Sequence, residues 1–282
     1  MSFLRRNPFK SIFAFLCGLA VWLGARAVAF PALAGLFSAW NLNRVTYAYA
    51  PAWARFTADR SGEIIDIFAL AVSTAVLFAL SRPKRAPVWT MVFSLLAGAL
   101  AAAVPVFVLL LADSARFSAA RTFNAPAACV LLLREALFSA FSALLIYQNA
   151  ANALPNRPKT AACACAALQA ALFCFESGRI HITLAINGLL IGAAFSALFQ
   201  KTRSPFPAAA CAFAFRAVSR VAFGYPDLGG VYIVSEEWLA GLSAGRLEGA
   251  GIVTLLAAAS LAASALIFRS IALPKSAHGQ QR

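Results

Sequence analysis

The sequence predicts an all-α fold, a polytopic membrane helical bundle of about eight transmembrane helices in a single domain. Of the 282 residues, 62% are hydrophobic and only 12% are charged, and the mean hydropathy is +0.78. Soluble domains carry about 25% charged residues, so the composition indicates an integral membrane protein. Backbone polar groups in lipid must be satisfied within their own segment, so the spanning segments should be helices.

Most of the apolar runs are near the ~20 residues that a helix needs to cross the hydrocarbon core. They are Ser11–Trp40, Ile64–Ser81, Val88–Ala112, Ala125–Ala151, Thr160–Ser177, Ile182–Gln200, Phe206–Phe223 and Ile252–Phe268. The first follows Arg5, Arg6 and Lys10 and contains Ala32-Leu33-Ala34, a pattern shared with cleavable signal peptides. Because several spans follow it, we interpret this run as an uncleaved first helix.

The distribution of Lys and Arg predicts that both termini are cytoplasmic. In that orientation the internal loops carry thirteen basic residues, the external loops seven, and the spans four. An excess in cytoplasmic loops is the positive-inside pattern. The net charge of +14 is then explained by scattered orientation signals, because a nucleic-acid interface would need a basic stripe on a soluble surface. We therefore expect the lipid bilayer as a partner, and no nucleic acid.

Two further segments differ from the spans in composition. The connection from Gly224 to Gly251 holds four acidic residues and three aromatic anchors, Tyr225, Tyr232 and Trp238, which is typical of an ordered external loop at a membrane interface. The segment 270–282 is a short polar tail, which we expect to be disordered.

Charged residues inside the spans are the candidate functional positions. Arg134 and Glu135 stand side by side within Ala125–Ala151, where each charge costs roughly 2.5–3.5 kcal/mol at the bilayer centre. Arg216 lies in the seventh run, and Glu176 lies at the end of the fifth. From the residues alone we favour ion pairing between helices, in which Glu135 and Glu176 offset the arginines.

Metal and cofactor sites are not predicted. The six cysteines all lie in apolar runs, and Cys163-Ala-Cys165 has no second Cys or His pair beside it, so we interpret them as packing residues. The only histidines are His181 and His278, whereas a catalytic zinc site needs about three protein ligands.

Five short motifs between residues 125 and 249 resemble, in order and spacing, those of the CPBP family (CAAX proteases and bacteriocin-processing proteins). They are Arg134-Glu135-Ala-Leu-Phe138-Ser139-Ala140, Leu172-Phe173-Cys-Phe-Glu-Ser177, Asn187-Gly188-Leu-Leu-Ile-Gly192, Thr202-Arg-Ser204-Pro-Phe206-Pro207 and Trp238-Leu-Ala-Gly241…Gly245-Arg-Leu-Glu248-Gly249. The family consists of intramembrane proteases, including type II CAAX prenyl endopeptidases. The resemblance implies a membrane-embedded protease core over residues 125–249.

The departures from the family fall on its catalytic positions. The family's two glutamates correspond to Arg134 and Glu135, and its motif arginine corresponds to Ser139. Its two histidines correspond to Ser177 and Ala212, and its asparagine corresponds to Arg216. Only Glu135 is retained. An arginine stays protonated in proteins, so Arg134 cannot act as a general base. The resemblance therefore implies a homologue with no intact catalytic set and no metal, which binds or scaffolds a membrane-bound peptide or protein partner in a bacterial plasma membrane.

Two alternatives stay open. One is an active endopeptidase of the family that processes prenylated or hydrophobic peptides, in which Glu135 and Glu176 form a substitute acid/base pair. The other is a small-solute transporter, which the intramembrane charges favour, although no internal repeat is visible in the sequence. If the resemblance holds, Arg134, Ser177, Ala212 and Arg216 should converge in the fold.

Overall fold

The protein is built of helices, as predicted. The computed structural model describes residues 8–40, 46–111, 115–119, 124–154, 157–177, 182–222 and 231–235. The helices are α1 (Pro8–Ala39), a 3-10 turn (Tyr47–Tyr49), α2 (Ala52–Asp59), α3 (Ser61–Ser81), α4 (Val88–Leu111), α5 (Ala125–Ser142), a π-helical segment (Ala143–Ala150), α6 (Ala151–Ala153), α7 (Pro158–Ser177), α8 (Ile182–Thr202), α9 (Pro205–Arg216) and a second π-helical segment (Ala217–Ala222).

Four helices in the described part of the chain are long and apolar enough to cross a membrane. They are Pro8–Ala39, Ser61–Ser81, the continuous helix Ala125–Ala153, and Pro158–Glu176, and Val88–Val104 forms a shorter apolar helix. The predicted count of eight spans and the predicted orientation stay predictions. The eighth predicted run, Ile252–Phe268, the motif residues 238–249 and the tail 270–282 lie outside the described residues.

A small antiparallel ribbon accompanies the helices. Strand β1 (Ala115–Ala119) pairs with β2 (Val231–Ser235), with Ala115 opposite Ser235. Both strands lie in connections that the sequence predicted to be external loops. Strand β2 is rich in the β-branched and aromatic residues that favour extended backbone. Its partner lies more than 100 residues earlier in the chain, so a local sequence pattern does not predict the pairing.

Three glycines allow helices to approach closely at two crossings. A β-carbon at Gly98 of α4 would lie 2.1 Å from the carbonyl oxygen of Cys211 on α9. The β-carbons of Gly188 and Gly192 on α8 would similarly collide with the backbone of α7 at Ala170 and Ala166. Small residues four apart let helix backbones touch in a membrane, where packing replaces the hydrophobic drive for association. These crossings fix α4 on α9 and α8 on α7.

The core draws buried side chains from α1, α3, α4, α5, the first π-helical segment, α6, α7, α8 and α9. Its largest buried side chains include Leu70 and Leu77 of α3, Phe141 of α5 and Phe215 of α9. Trp22 of α1 packs its ring 5.2 Å from that of Phe141. This apolar packing surrounds the charged side chains described below.

Side-chain hydrogen bonds support the first π-helical segment. The amide of Asn149 donates to the carbonyl oxygen of Leu144 at 2.9 Å and accepts from the Ser81 hydroxyl at 2.9 Å. Tyr147 donates to Gln169 of α7 at 2.8 Å, and Gln148 donates to the Ser81 carbonyl at 3.0 Å. A π-helical turn pairs residues five apart and so departs from the regular α-helical hydrogen-bond pattern. The side-chain bonds give polar groups of this segment partners inside the bundle. They also join α3, the segment and α7 at one end of the bundle.

Replacing Gly98 with alanine should loosen the α4–α9 crossing. The added methyl must displace backbone rather than a flexible side chain, so we expect Gly98→Ala to destabilise the protein by about 1–3 kcal/mol. The matched control is Gly24→Ala on α1, where nothing lies within 4 Å of the new β-carbon; there the better helix propensity of alanine should leave stability unchanged or raised. Thermal unfolding in detergent measures both, and equal midpoints would contradict the packing argument.

Candidate functional site

Six charged side chains from five helices meet inside the bundle. This group, called here the charge network, consists of Arg26 (α1), Asp66 (α3), Arg134 and Glu135 (α5), Glu176 (α7) and Arg216 (α9). Three guanidinium groups face three carboxylates, so the formal charges balance. The network therefore joins helices that are far apart in the chain without leaving a net charge among them.

The centre of the network is a closed ring of two arginines and two glutamates. Glu135 Oε1 accepts from Arg134 Nη1 at 2.8 Å, and Glu135 Oε2 accepts from Arg216 Nε. Glu176 Oε1 accepts from Arg134 Nη2 at 3.0 Å and from Arg216 Nη2 at 2.7 Å. Each glutamate thus binds both arginines, and the ring links α5, α7 and α9.

The ring is withdrawn from the surroundings of the bundle. Glu135 is 1% exposed and Arg216 is 3% exposed. The Arg216 guanidinium also lies over the ring of Phe138 at 4.1 Å and near that of Phe173 at 5.9 Å. A desolvated cation–π contact of this kind contributes about 2 kcal/mol. Apolar rings and carboxylates therefore surround a cation that would be costly to bury alone.

An outer arm extends the network towards α1. Asp66 Oδ2 lies 2.9 Å from Arg134, and Asp66 Oδ1 lies 3.3 Å from Arg26 Nη2. The Arg26 side chain is 38% exposed and rests against the rings of Trp22 and Phe175, at 5.7 Å and 5.9 Å. Exposure therefore rises from the buried ring to Arg26.

The network lies in the half of the bundle where α3 and α5 begin and α7 ends. Asp66 is the sixth residue of α3, and Glu176 is the last residue but one of α7. At 1.5 Å per residue these positions are within about 8 Å of their helix ends. Charges near an end are less costly in a membrane than charges at its centre.

The structure brings together most of the positions that the motifs single out. Arg134, Glu135 and Arg216 are in the ring, and Ala212 is buried one turn before Arg216. Ser139 is buried one turn after Glu135, and its hydroxyl has no hydrogen-bond partner among the described residues. Ser177 is the last residue of α7, next to Glu176, but its side chain lies outside the described part.

The predicted pairing of Glu135 and Glu176 with the arginines matches the geometry, but sequence reasoning missed Asp66. It stands within the second apolar run, close after Glu63. A carboxylate inside a span is the same signal that marked Glu135, and applying it to every span would have found this residue. It would not have revealed that Asp66 bridges Arg26 and Arg134, because that depends on how α1, α3 and α5 pack.

Metal binding finds no support in the described ranges, which contain no group of three or more His, Cys, Asp or Glu side chains arranged to hold an ion. The carboxylates of the charge network are separated from one another by guanidinium groups. His181 and His278 lie outside the described residues.

Comparisons of the chain with protein-family models, with curated proteins and with solved structures give no match. The resemblance to the CPBP family therefore rests on the motifs alone, and any function drawn from it is a proposal.

Removing Glu135 should destabilise the protein far more than removing Ser139. Glu135→Ala leaves two buried guanidinium groups short of a carboxylate, which typically costs about 3–5 kcal/mol. Ser139→Ala is the matched control, because Ser139 is equally buried on the same helix and its hydroxyl is without a partner in the described structure; its loss should be nearly neutral. Thermal unfolding in detergent distinguishes the two, and equal, small effects would exclude a structural role for the ring.

Proposed function

We propose that the chain is a CPBP-like intramembrane protease homologue that has lost catalysis and acts by binding or scaffolding a membrane-bound peptide or protein partner. One observation supports this most directly. Arg134, Glu176 and Arg216, which are matched motif positions or, for Glu176, the neighbour of one, are far apart in sequence but form ion pairs with one another across α5, α7 and α9. If the motifs correspond as proposed, a guanidinium group stands where the family has its first glutamate.

The chemistry of the ring favours a structural role over proteolysis. A general base must be able to take a proton from water in the course of the reaction. Glu135 and Glu176 each accept hydrogen bonds from both Arg134 and Arg216, so the carboxylates that would have to take this proton are already bound by guanidinium groups. The same contacts that hold the helices together thus oppose the substitute acid/base pair.

The finer membrane topology belongs to the same proposal. Eight spans with both termini in the cytoplasm place the charge network in the external half of a bacterial plasma membrane. The four spanning helices support a membrane location, and the excess of Lys and Arg in the predicted internal loops supports the orientation.

Transport of a small solute is a second candidate, favoured by one observation. The charge network runs without a break from the partly exposed Arg26 to the buried Arg216. Connected ionisable residues inside a membrane bundle often mark ion or proton paths. Uptake by vesicles containing the purified protein, lost in an Asp66→Asn variant, would favour transport over scaffolding.

The protease alternative predicts a specific result that we do not expect. Purified wild type, Glu135→Gln and Ser139→Ala are incubated with a prenylated peptide and with a hydrophobic peptide, with and without a chelator. We expect no cleavage that depends on Glu135 or on a metal, because both carboxylates are held by arginines. Cleavage by wild type and by Ser139→Ala that disappears in Glu135→Gln would overturn the proposal of lost catalysis.

The family resemblance itself can be tested by restoring the motifs. A variant with Arg134→Glu, Ser139→Arg, Ser177→His, Ala212→His and Arg216→Asn recreates the family pattern at the corresponding positions. If the resemblance is correct, this variant should bind cobalt or zinc through its two histidines and a glutamate, and wild type should not. A folded variant that binds no metal would contradict the correspondence. If the variant does not fold, a second variant carries only Ser177→His and Ala212→His, which leaves the ring intact. It is tested for a metal bridge between α7 and α9.

A further inference from the structure

One end of the bundle carries an exposed group of basic side chains that the charge network does not use. The group, called here the basic surface, consists of Arg82, Lys84, Arg85, Arg157, Lys159, Lys201 and Arg203, all of them exposed. Five of these residues belong to the connections α3 to α4, α6 to α7 and α8 to α9, and Lys159 and Lys201 lie in the adjoining turns of α7 and α8. They lie at the end of the bundle away from the charge network.

Hydrogen bonds hold the three connections next to one another. The Ser204 hydroxyl donates to the carbonyl oxygen of Lys84 at 2.8 Å, which joins the α8–α9 connection to the α3–α4 connection. The Gln200 amide donates to the carbonyl oxygen of Pro158 at 2.9 Å, which joins the end of α8 to the start of α7. The cations of separate loops are therefore parts of one surface.

No acidic residue accompanies these cations in the sequence. There is no Asp or Glu between Asp66 and Asp113, between Glu135 and Glu176, or between Glu176 and Asp227. Each of the three connections lies inside one of these acid-free stretches. Within the described residues, the seven salt bridges involve Arg26, Arg60, Arg134 and Arg216, and none of them involves Arg82, Lys84, Arg85, Arg157, Lys159 or Arg203. The surface is thus a concentration of positive charge without a balancing carboxylate in its own loops.

Helix electrostatics account for only part of the surface. Arg82 and Arg203 follow the C-terminal ends of α3 and α8, where a cation favours the helix dipole. However, both have positive φ, 43° and 54°, a conformation that glycine or asparagine adopts with less strain. Lys159 lies in the first turn of α7, where the dipole disfavours a cation. The helix dipole therefore does not explain the charge at this position.

We propose that the basic surface binds the anionic headgroups of phospholipids in the adjoining leaflet. The surface caps the ends of apolar helices, so it lies where headgroups meet the hydrocarbon. Clusters of Lys and Arg next to transmembrane helices recognise anionic lipids in this way, at about 1 kcal/mol per cation near the surface. Bound headgroups would bridge the three connections and stabilise that end of the bundle.

The test uses the purified protein in detergent, so that a change in loop charge cannot act through the orientation of the protein in a membrane. Phosphatidylglycerol and phosphatidylcholine with identical acyl chains compete for the protein, and the bound ratio is read by native mass spectrometry. At low salt we expect wild type to prefer phosphatidylglycerol by roughly fivefold or more, the ratio that corresponds to one such cation. A neutral variant (Lys84→Gln, Arg85→Gln, Arg157→Gln, Lys159→Gln) should lose most of this preference.

The control keeps the charge and changes the side chains. The variant Lys84→Arg, Arg85→Lys, Arg157→Lys, Lys159→Arg should keep the wild-type preference, and phosphatidylglycerol should raise the unfolding temperature of wild type and of this control but not of the neutral variant. If the neutral variant does not fold, the preference of wild type for phosphatidylglycerol should still decrease when the salt concentration is raised from 0.1 M to 1 M, because the screening length shrinks from about 10 Å to about 3 Å. No preference in wild type, an unchanged preference in the neutral variant, or equal stabilisation by inorganic phosphate alone would overturn the proposal.

Discussion

The structure depends on one shared carboxylate. Glu135 is almost completely buried and is bound by an arginine on its own helix and by another on α9. Neither arginine can lose its proton in a protein, so the positive charges are permanent and must be balanced where they stand. Glu176 closes the ring from α7. The relative positions of α5, α7 and α9 are therefore constrained by a requirement for charge balance as well as by packing.

That requirement explains the wider arrangement of the network. A buried ion pair often adds little net stability, because desolvation offsets the attraction, but breaking one partner is expensive. Each charged side chain therefore depends on the helices that carry its partners. In this protein the dependence extends through Asp66 to α1, and the rings of Phe138 and Phe173 lie against the guanidinium group of Arg216. The glycine crossings then fix α4 and α8 against this assembly.

The ring also sets limits on chemistry. A carboxylate that is to activate water must be free to accept a proton from it, whereas both oxygens of Glu135 already accept hydrogen bonds from guanidinium groups. An interior that fixes helices through Glu135 is therefore poorly suited to use Glu135 as a base. A catalytic role for Glu135 would require the arginines to leave, and their departure would remove the balance on which the packing relies.

The sequence predicts the helices because apolar length and intramembrane charge are local properties. It also predicts that Glu135 and Glu176 meet the arginines, because an isolated charge in a span needs a partner. It does not predict the role of Asp66, which depends on three helices packing together, or the ribbon between residues 115–119 and 231–235, whose partners are distant in the chain. The sequence also does not predict the π-helical segment at 143–150, because the hydrogen bonds that support it come from Ser81 and Gln169 on other helices.

The most direct test of the shared carboxylate is a double-mutant cycle between Glu135 and Arg216, using Glu135→Gln, Arg216→Gln and the double variant. If the two side chains form one buried pair within the ring, their effects on the free energy of unfolding should be strongly non-additive. We expect a coupling of about 1–3 kcal/mol, with the double variant more stable than the sum of the single losses predicts. Additive effects, within about 0.5 kcal/mol, would contradict the account.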